Sequence, residues 1–330
     1  MTEKPTVLLA GRNTIRRADF LAAATETDWH IQRCDVVEEP ERFRRMLAEA
    51  DVVIGGNRFE VPPGGRLQLY QIAFTGYDWI TAADLPKGVV FCNTYEHETT
   101  IAEHVLLGML EFQIGLMRDT DPMMRAKSYN GRSISAGPMH RELRGHTVGI
   151  VGYGHIGREV AQRCKAFGMR VMAVSRTVRE EPGLVDWYGT VAEMDRLLAE
   201  SDFVVVCAPL DDSTRGMIGA AQFAKMKPDA VIANVGRGEV IDEAALYAAL
   251  AGWRIRGGII DVWYSYPSKD DPNPWPSRFP FQKLGNVILS PHNSAWTQEM
   301  SERRWTFVAR QLDRFARREQ LLNVCFEGTA

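Results

Sequence analysis

The chain carries Val148-Gly149-Ile150-Val151-Gly152-Tyr153-Gly154-His155-Ile156-Gly157, an apolar run that ends in Gly-x-Gly-x-x-Gly with a helical pattern directly behind it. Each glycine answers a steric demand. Gly152 turns a strand tightly, Gly154 leaves room for a pyrophosphate, and Gly157 lets the next helix lie close to a sheet. The helix start aims N–H groups and the positive end of its dipole at the phosphates. A glycine triplet alone is a weak signal, but this one has the right setting. Thr147–Val151 reads as a buried strand, and Ile156, Val160, Ala161, Cys164 and Phe167 form the apolar stripe of a helix. The stretch therefore predicts the dinucleotide loop of a Rossmann unit, with Gly152, Gly154, His155, Ile156 and Gly157 against the cofactor.

The loop opens near residue 147 of 330, so a domain precedes it. Short β-branched runs at Thr6–Ala10, 51–55, 68–74 and 89–93 alternate with helical segments, and a long helical pattern follows over 99–127. Beyond the loop, strand-like runs recur at Arg170–Ser175, 203–208, 230–235, 257–262 and 287–290, with a last helix over 298–318 that returns to the first domain. This alternation predicts α/β architecture: two Rossmann-like, doubly wound parallel sheets with helices on both faces. The expected division is 1–118 with 297–330 for one domain and 119–296 for the dinucleotide-binding domain, with a cleft between them. A 45% apolar, 25% charged composition fits a globular protein, and a net charge of −3 argues against nucleic acid or an anionic membrane as partner. The start, Met1-Thr2-Glu3-Lys4-Pro5, lacks the apolar core of a signal peptide, and five scattered cysteines fit reduced thiols, so a cytoplasmic location is expected.

Cofactor choice is read at the end of the second strand of the dinucleotide domain. A carboxylate there would bind the ribose hydroxyls of NAD. Here Arg170–Val174 ends in Ser175-Arg176-Thr177, three donors with one guanidinium suited to a 2′-phosphate. NADP is expected over NAD. Two further residues carry chemistry. Arg237, in Asn234-Val235-Gly236-Arg237-Gly238, and His292, in Ser290-Pro291-His292-Asn293, both follow apolar strand-like runs. The carboxyl ends of strands in an open parallel sheet face the ligand crevice. A permanent cation can hold a substrate carboxylate and polarise its carbonyl, while an imidazole delivers a proton to the oxygen. Arg58, after Val52-Val53-Ile54, offers a second cation for an anionic substrate group.

With these residues in place the chain resembles the D-isomer-specific 2-hydroxyacid dehydrogenase family. The likeness runs from about Gln71 to Thr297 through Thr75-Gly76-Tyr77-Asp78, Asn93-Thr94, Ile101-Ala102-Glu103-His104, the glycine loop, Ala208-Pro209-Leu210 with Thr214, Asn234–Asp242, Asp261-Val262 and Pro291-His292. The resemblance implies a cofactor domain inserted in a flavodoxin-like substrate domain, and a homodimer. It implies Arg237 as substrate-binding cation, His292 as acid/base, and backbone amides near Thr75 and Gly76 as the carboxylate cradle. Ala208, Pro209, Thr214, Val235, Gly236 and Asp261 would line the cofactor site. The expected activity is NADPH-dependent reduction of a small 2-oxoacid, glyoxylate or hydroxypyruvate, to a D-2-hydroxyacid. The alternatives are a nucleotide-sensing, corepressor-like binding protein without turnover, and hydride abstraction from formate or phosphite.

One departure bears on mechanism. The family places a Glu five residues after the Asp of its Asp-Val motif, bonded to the catalytic His; here Tyr266 stands there. Tyr266 could orient His292 without charge, Asp270 or Asp271 could supply a carboxylate, or turnover could be lost. The first reading predicts that His292 titrates near an ordinary histidine, roughly 6.5, and that Tyr266→Phe costs activity. The long aromatic stretch 263–281 could form a lid, a pocket wall or a packing surface.

Overall fold

The computed structural model describes residues 4–330 apart from Pro63, Asn130, Ile134, Ser135, Arg179 and Glu180. It divides into two compact units, Met1–Glu96 with Thr297–Ala330, and His97–Trp296. In the first unit the chain lays down β1 (Thr6–Ala10), β2 (His30–Cys34), β3 (Val52–Ile54), β4 (Leu69–Gln71) and β5 (Val90–Cys92). The second unit holds β6 (Thr147–Val151), β7 (Arg170–Ser175), β8 (Trp187–Thr190), β9 (Phe203–Val206), β10 (Val231–Asn234), β11 (Gly257–Ile260) and β12 (Val287–Leu289). The chain then returns to the first unit for β13 (Val324–Glu327).

The first sheet has the order β2-β1-β3-β4-β5, all parallel, with β13 antiparallel on its outer edge. That is the flavodoxin-like order. The second has the order β8-β7-β6-β9-β10-β11-β12, parallel throughout, which is the Rossmann order with a seventh strand added. Every residue of β6, β9, β10 and β11 is buried. A sheet covered on both faces needs such continuous apolar runs, and this is why these strands stand out in the sequence. Val151, Val204 and Val206 pack into a core on one face, and Val148, Ile150 and Val205 into a core on the other.

Two features differ from the sequence reading. The helical pattern over 99–127 is not one helix. It stops at Ile114, where Gly115 adopts a left-handed conformation (φ 67°), and a wide turn and the short helix Asp121–Arg125 follow. The first division also falls at Glu96/His97 rather than 118/119. Helix Glu98–Ile114 packs on helix His155–Ala166, and its Gly108 sits so close to Ile259 of β11 that a Cβ would lie 2.8 Å from that side chain. It therefore belongs with the dinucleotide sheet. Helix Gln298–Ala316 packs on helix Ala18–Ala24 in the first unit. No single helix among the described residues is long and apolar enough to cross a membrane.

Candidate active site

The ladder of the second sheet continues past the strand ends and sets the site residues side by side. Gly152 N–H donates to Val174 O, Cys207 N–H to Val151 O, Val235 N–H to Val206 O, Asp261 N–H to Asn234 O and Ser290 N–H to Ile260 O. The loops that leave this edge carry, in spatial order, Arg176, Gly152–Gly157, Ala208–Thr214, Val235–Arg237, Asp261–Tyr266 and Ser290–Ser294.

At the cofactor end the shape fits a dinucleotide. Gly152 has φ 92°, and a Cβ on it would lie 2.6 Å from Ala208 N, so only glycine turns the strand here. The Cβ direction of Gly154 is open, with nothing within 4 Å, at the start of the twelve-residue helix His155–Ala166. A pyrophosphate needs that combination of space and helix N-terminus. At the end of β7 the Ser175 hydroxyl is used internally: it donates to Thr177 O at 2.7 Å and pairs with the Tyr188 hydroxyl at 2.8 Å. Arg176 is exposed and lies 3.4 Å from Asp211. The Thr214 hydroxyl closes its own turn, donating to Pro209 O at 2.7 Å and accepting from Asp211 N–H at 2.8 Å.

At the other end three loops brace one another. The Asn234 amide donates to Arg237 O at 3.0 Å, and its carbonyl accepts from Gly236 N–H at 3.2 Å, which fixes the loop bearing the guanidinium. Arg237 itself donates to Gly236 O at 2.9 Å. Gly238 packs on the backbone of Trp263, where a Cβ would lie 2.3 Å from the carbonyl oxygen. The Trp263 indole N–H donates to Ser290 O at 2.8 Å, which ties the second loop to the third.

Asp261 is the hub. It is 1% exposed. One carboxylate oxygen accepts from Ser290 Oγ at 2.6 Å, Asn293 N–H at 3.0 Å and Ser294 N–H at 3.2 Å; the other accepts from the Ser294 hydroxyl. These bonds bracket His292, which holds φ 58°, a left-handed conformation unusual for a residue with a Cβ. Bonds of this kind compensate the strain. Ser290 spends its proton on Asp261, so its 3.3 Å contact with His104 Nε2 requires the imidazole to donate. The polar atoms of Asp261 are thus consumed within the protein, as a turn organiser. Asp261→Asn would set an amide N–H against this donor cluster. It should destabilise the second unit by about 2–3 kcal/mol, read as a lower denaturation midpoint against the native chain.

The Tyr266 hydroxyl is not directed at His292. It accepts from Trp263 N–H at 3.0 Å, and it is the ring that lies beside the imidazole, with centroids 5.5 Å apart and planes at 53°. The reason is local: a residue three positions on lies within reach of the Trp263 N–H across the turn. Asp271 likewise serves its own turn: its carboxylate accepts from Asn273 N–H at 3.2 Å and its N–H donates to Ser268 Oγ at 3.0 Å. The carboxylate that acts on His292 is Asp261, a role the sequence did not suggest. His292 opens to solvent on one side, yet surrounding protein lowers its pKa; the Asp261 charge opposes that shift and Arg237 adds to it. The expectation of an ordinary histidine value is therefore corrected downward. Burial pushes the Tyr266 phenol up, so it stays neutral through the physiological range.

In the first unit, Thr75 and Gly76 follow β4. The Thr75 hydroxyl donates to Thr94 O and the Asn93 amide to Thr75 O, both at 2.8 Å, so the end of β5 clamps this loop. Arg58 pairs with Asp84.

Residues 110–294 match the family model described as D-isomer specific 2-hydroxyacid dehydrogenase, NAD binding domain. A D-3-phosphoglycerate dehydrogenase of Methanocaldococcus jannaschii is 38% identical over 86% of this chain and 53% of its own length. A glyoxylate reductase of Thermococcus onnurineus is 31% identical over 94% of this chain and 93% of its own. The chain spans about half the length of the D-3-phosphoglycerate dehydrogenases it matches. The solved structure of a D-isomer specific 2-hydroxyacid dehydrogenase family protein from Aeromonas salmonicida superposes with a TM-score of 0.82 at 24% identity, covering 98% of this chain and 99% of that one.

Proposed function

The chain belongs to the D-isomer specific 2-hydroxyacid dehydrogenase family, and from that premise we propose that it reduces a small 2-oxoacid of the glyoxylate or hydroxypyruvate type to a D-2-hydroxyacid with NADPH. The observation that carries this reading is the juxtaposition of Arg237, Asp261 and His292 at the ends of three adjacent strands of a dinucleotide sheet, with both charges bearing on the imidazole. A pure nucleotide sensor has no use for such a trio.

Gly152, Gly154 and the start of the helix at His155 would hold the pyrophosphate, Arg176 a 2′-phosphate, and Ala208, Pro209, Val235 and Gly236 the nicotinamide half. When bound, the nicotinamide supplies the hydride. Arg237 grips the substrate carboxylate and draws charge toward the carbonyl oxygen. Imidazolium His292 gives its proton to that oxygen. Asp261 holds His292 in place through the Ser290–Ser294 turn, and Tyr266 walls the imidazole with its ring. The cradle at Thr75 and Gly76 is assigned to the carboxylate by family likeness. The reading includes a cytoplasmic homodimer, which the five free thiols and the family suit. Nicotinamide absorbance tests the activity, with NADPH and NADH side by side on a panel of 2-oxoacids and with NADP+ and NAD+ on formate and phosphite. Oxidation of formate or phosphite, or no turnover with any substrate, would replace the assignment.

The pH dependence follows from the direction of the His292 shift. Reduction needs the protonated ring, and its folded pKa lies below 6.5. kcat/KM for reduction should be highest at acid pH and fall about tenfold per pH unit beyond a midpoint below 6.5. Tyr266→Glu should move that midpoint upward by about 1–3 units, because a carboxylate beside the ring favours its charged form. Tyr266→Phe should leave the midpoint in place. An unmoved midpoint in the Glu variant would remove residue 266 from the neighbourhood of the reacting proton.

A further inference from the structure

We infer that Asp211 sets how tightly this chain holds a nucleotide bearing a 2′-phosphate, by competing with that phosphate for Arg176. The inference rests on the NADPH reading for its physiological meaning, but its physical basis is separate. Arg176 leaves the end of β7 and Asp211 follows the end of β9, while β6 runs between those two strands. Their ion pair at 3.4 Å therefore reaches over the end of the strand that bears the glycine loop. The adenosine half of a dinucleotide lies on this side of the switch point.

The two partners are unequally held. Asp211 is fixed by its own turn: one carboxylate oxygen accepts from the Ser213 N–H at 2.9 Å and from the Ser213 hydroxyl, Asp211 N–H donates to Thr214 Oγ1, and Thr214 N–H donates to Asp211 O. Arg176 has a side chain that is 74% exposed and can swing. The Ser213 hydroxyl, more than Arg176, keeps the Asp211 carboxyl below the usual carboxylate range, so it is charged at neutral pH. A 2′-phosphate recruiting Arg176 must strip it from Asp211 and then sit beside a fixed negative charge. A 2′-hydroxyl meets no such repulsion. Asp211 thus narrows the preference that Arg176 creates, and it is a specificity-determining residue that sequence inspection of the β7 end alone would miss.

Calorimetric titration of NADPH and NADH, without substrate, tests this on the native chain, Asp211→Asn, Arg176→Ala and the double variant. Asn keeps the oxygen that accepts from Ser213, so the turn is preserved. Asp211→Asn should tighten NADPH by roughly three- to tenfold and change NADH by less than about twofold. The gain should shrink at high salt and be smaller in the Arg176→Ala background, where only the direct repulsion remains. An unchanged NADPH affinity, an equal gain for NADH, or a gain undiminished without Arg176 would overturn the inference. A native chain that binds NADH more tightly than NADPH would overturn the NADPH reading instead; if Asp211→Asn still tightened NADPH alone, the competition would stand.

Discussion

His292→Asn should lower kcat for 2-oxoacid reduction by about 10²- to 10⁴-fold, the range over which a positioned general acid contributes, while NADPH affinity changes little. Asparagine tolerates the left-handed backbone that His292 adopts at φ 58°. The turn bonds to Asp261 come from Ser290, Asn293 and Ser294, not from the imidazole. The substitution therefore removes the proton donor and leaves its mount intact. Loss of cofactor binding together with turnover would show instead that His292 is structural. Full activity would remove it from the chemistry.

Arg237→Ala should cost about 10²- to 10³-fold in kcat/KM, with both KM and kcat affected. The guanidinium acts on the carboxylate in the ground state and on the oxygen as charge develops. Its loop is held by Asn234 and by Gly238 packed on Trp263, so truncation should not unfold the neighbourhood. Arg237→Lys keeps the charge but loses the planar fork and should recover only part of the loss. A second readout separates Arg237 from a bystander: it lowers the His292 pKa, so its removal should move the pH midpoint upward. If kcat/KM fell with that midpoint fixed, Arg237 would bind substrate without facing the acid.

The central strands of the second sheet were legible because burial on both faces demands unbroken apolar runs, whereas the half-buried Trp187–Thr190 was not. Thr147–Val151 and Phe203–Val206 are such runs. Two strands of the first sheet with wet faces were not, although Val287–Leu289, with no buried residue, was. His30–Cys34 mixes His, Gln and Arg into its length, and Val324–Glu327 leaves its ends exposed on the edge of the first sheet. The break at Gly115 was hidden because apolar residues continue on both sides of it.

The site divides in the same way. Arg237 and His292 could be found because their side chains are chemically rare at strand ends. The partners that govern them lie far off in sequence. Asp261 meets Ser290–Ser294 from some thirty residues away, and Arg176 meets Asp211 across 35. Spacing along the chain carries no trace of such pairings. The hydroxyl of Tyr266 turned toward Trp263 N–H for a reason only the turn geometry supplies.

The order in which the units are written along the chain has a consequence for biosynthesis. His97–Trp296 is continuous, so it can complete its fold while the ribosome is still adding residues behind it. The unit written on either side of it cannot: helix Gln298–Ala316 and the antiparallel strand Val324–Glu327 are made only after it. Until they are, the outer side of Val90–Cys92 waits as an open template for other nascent chains.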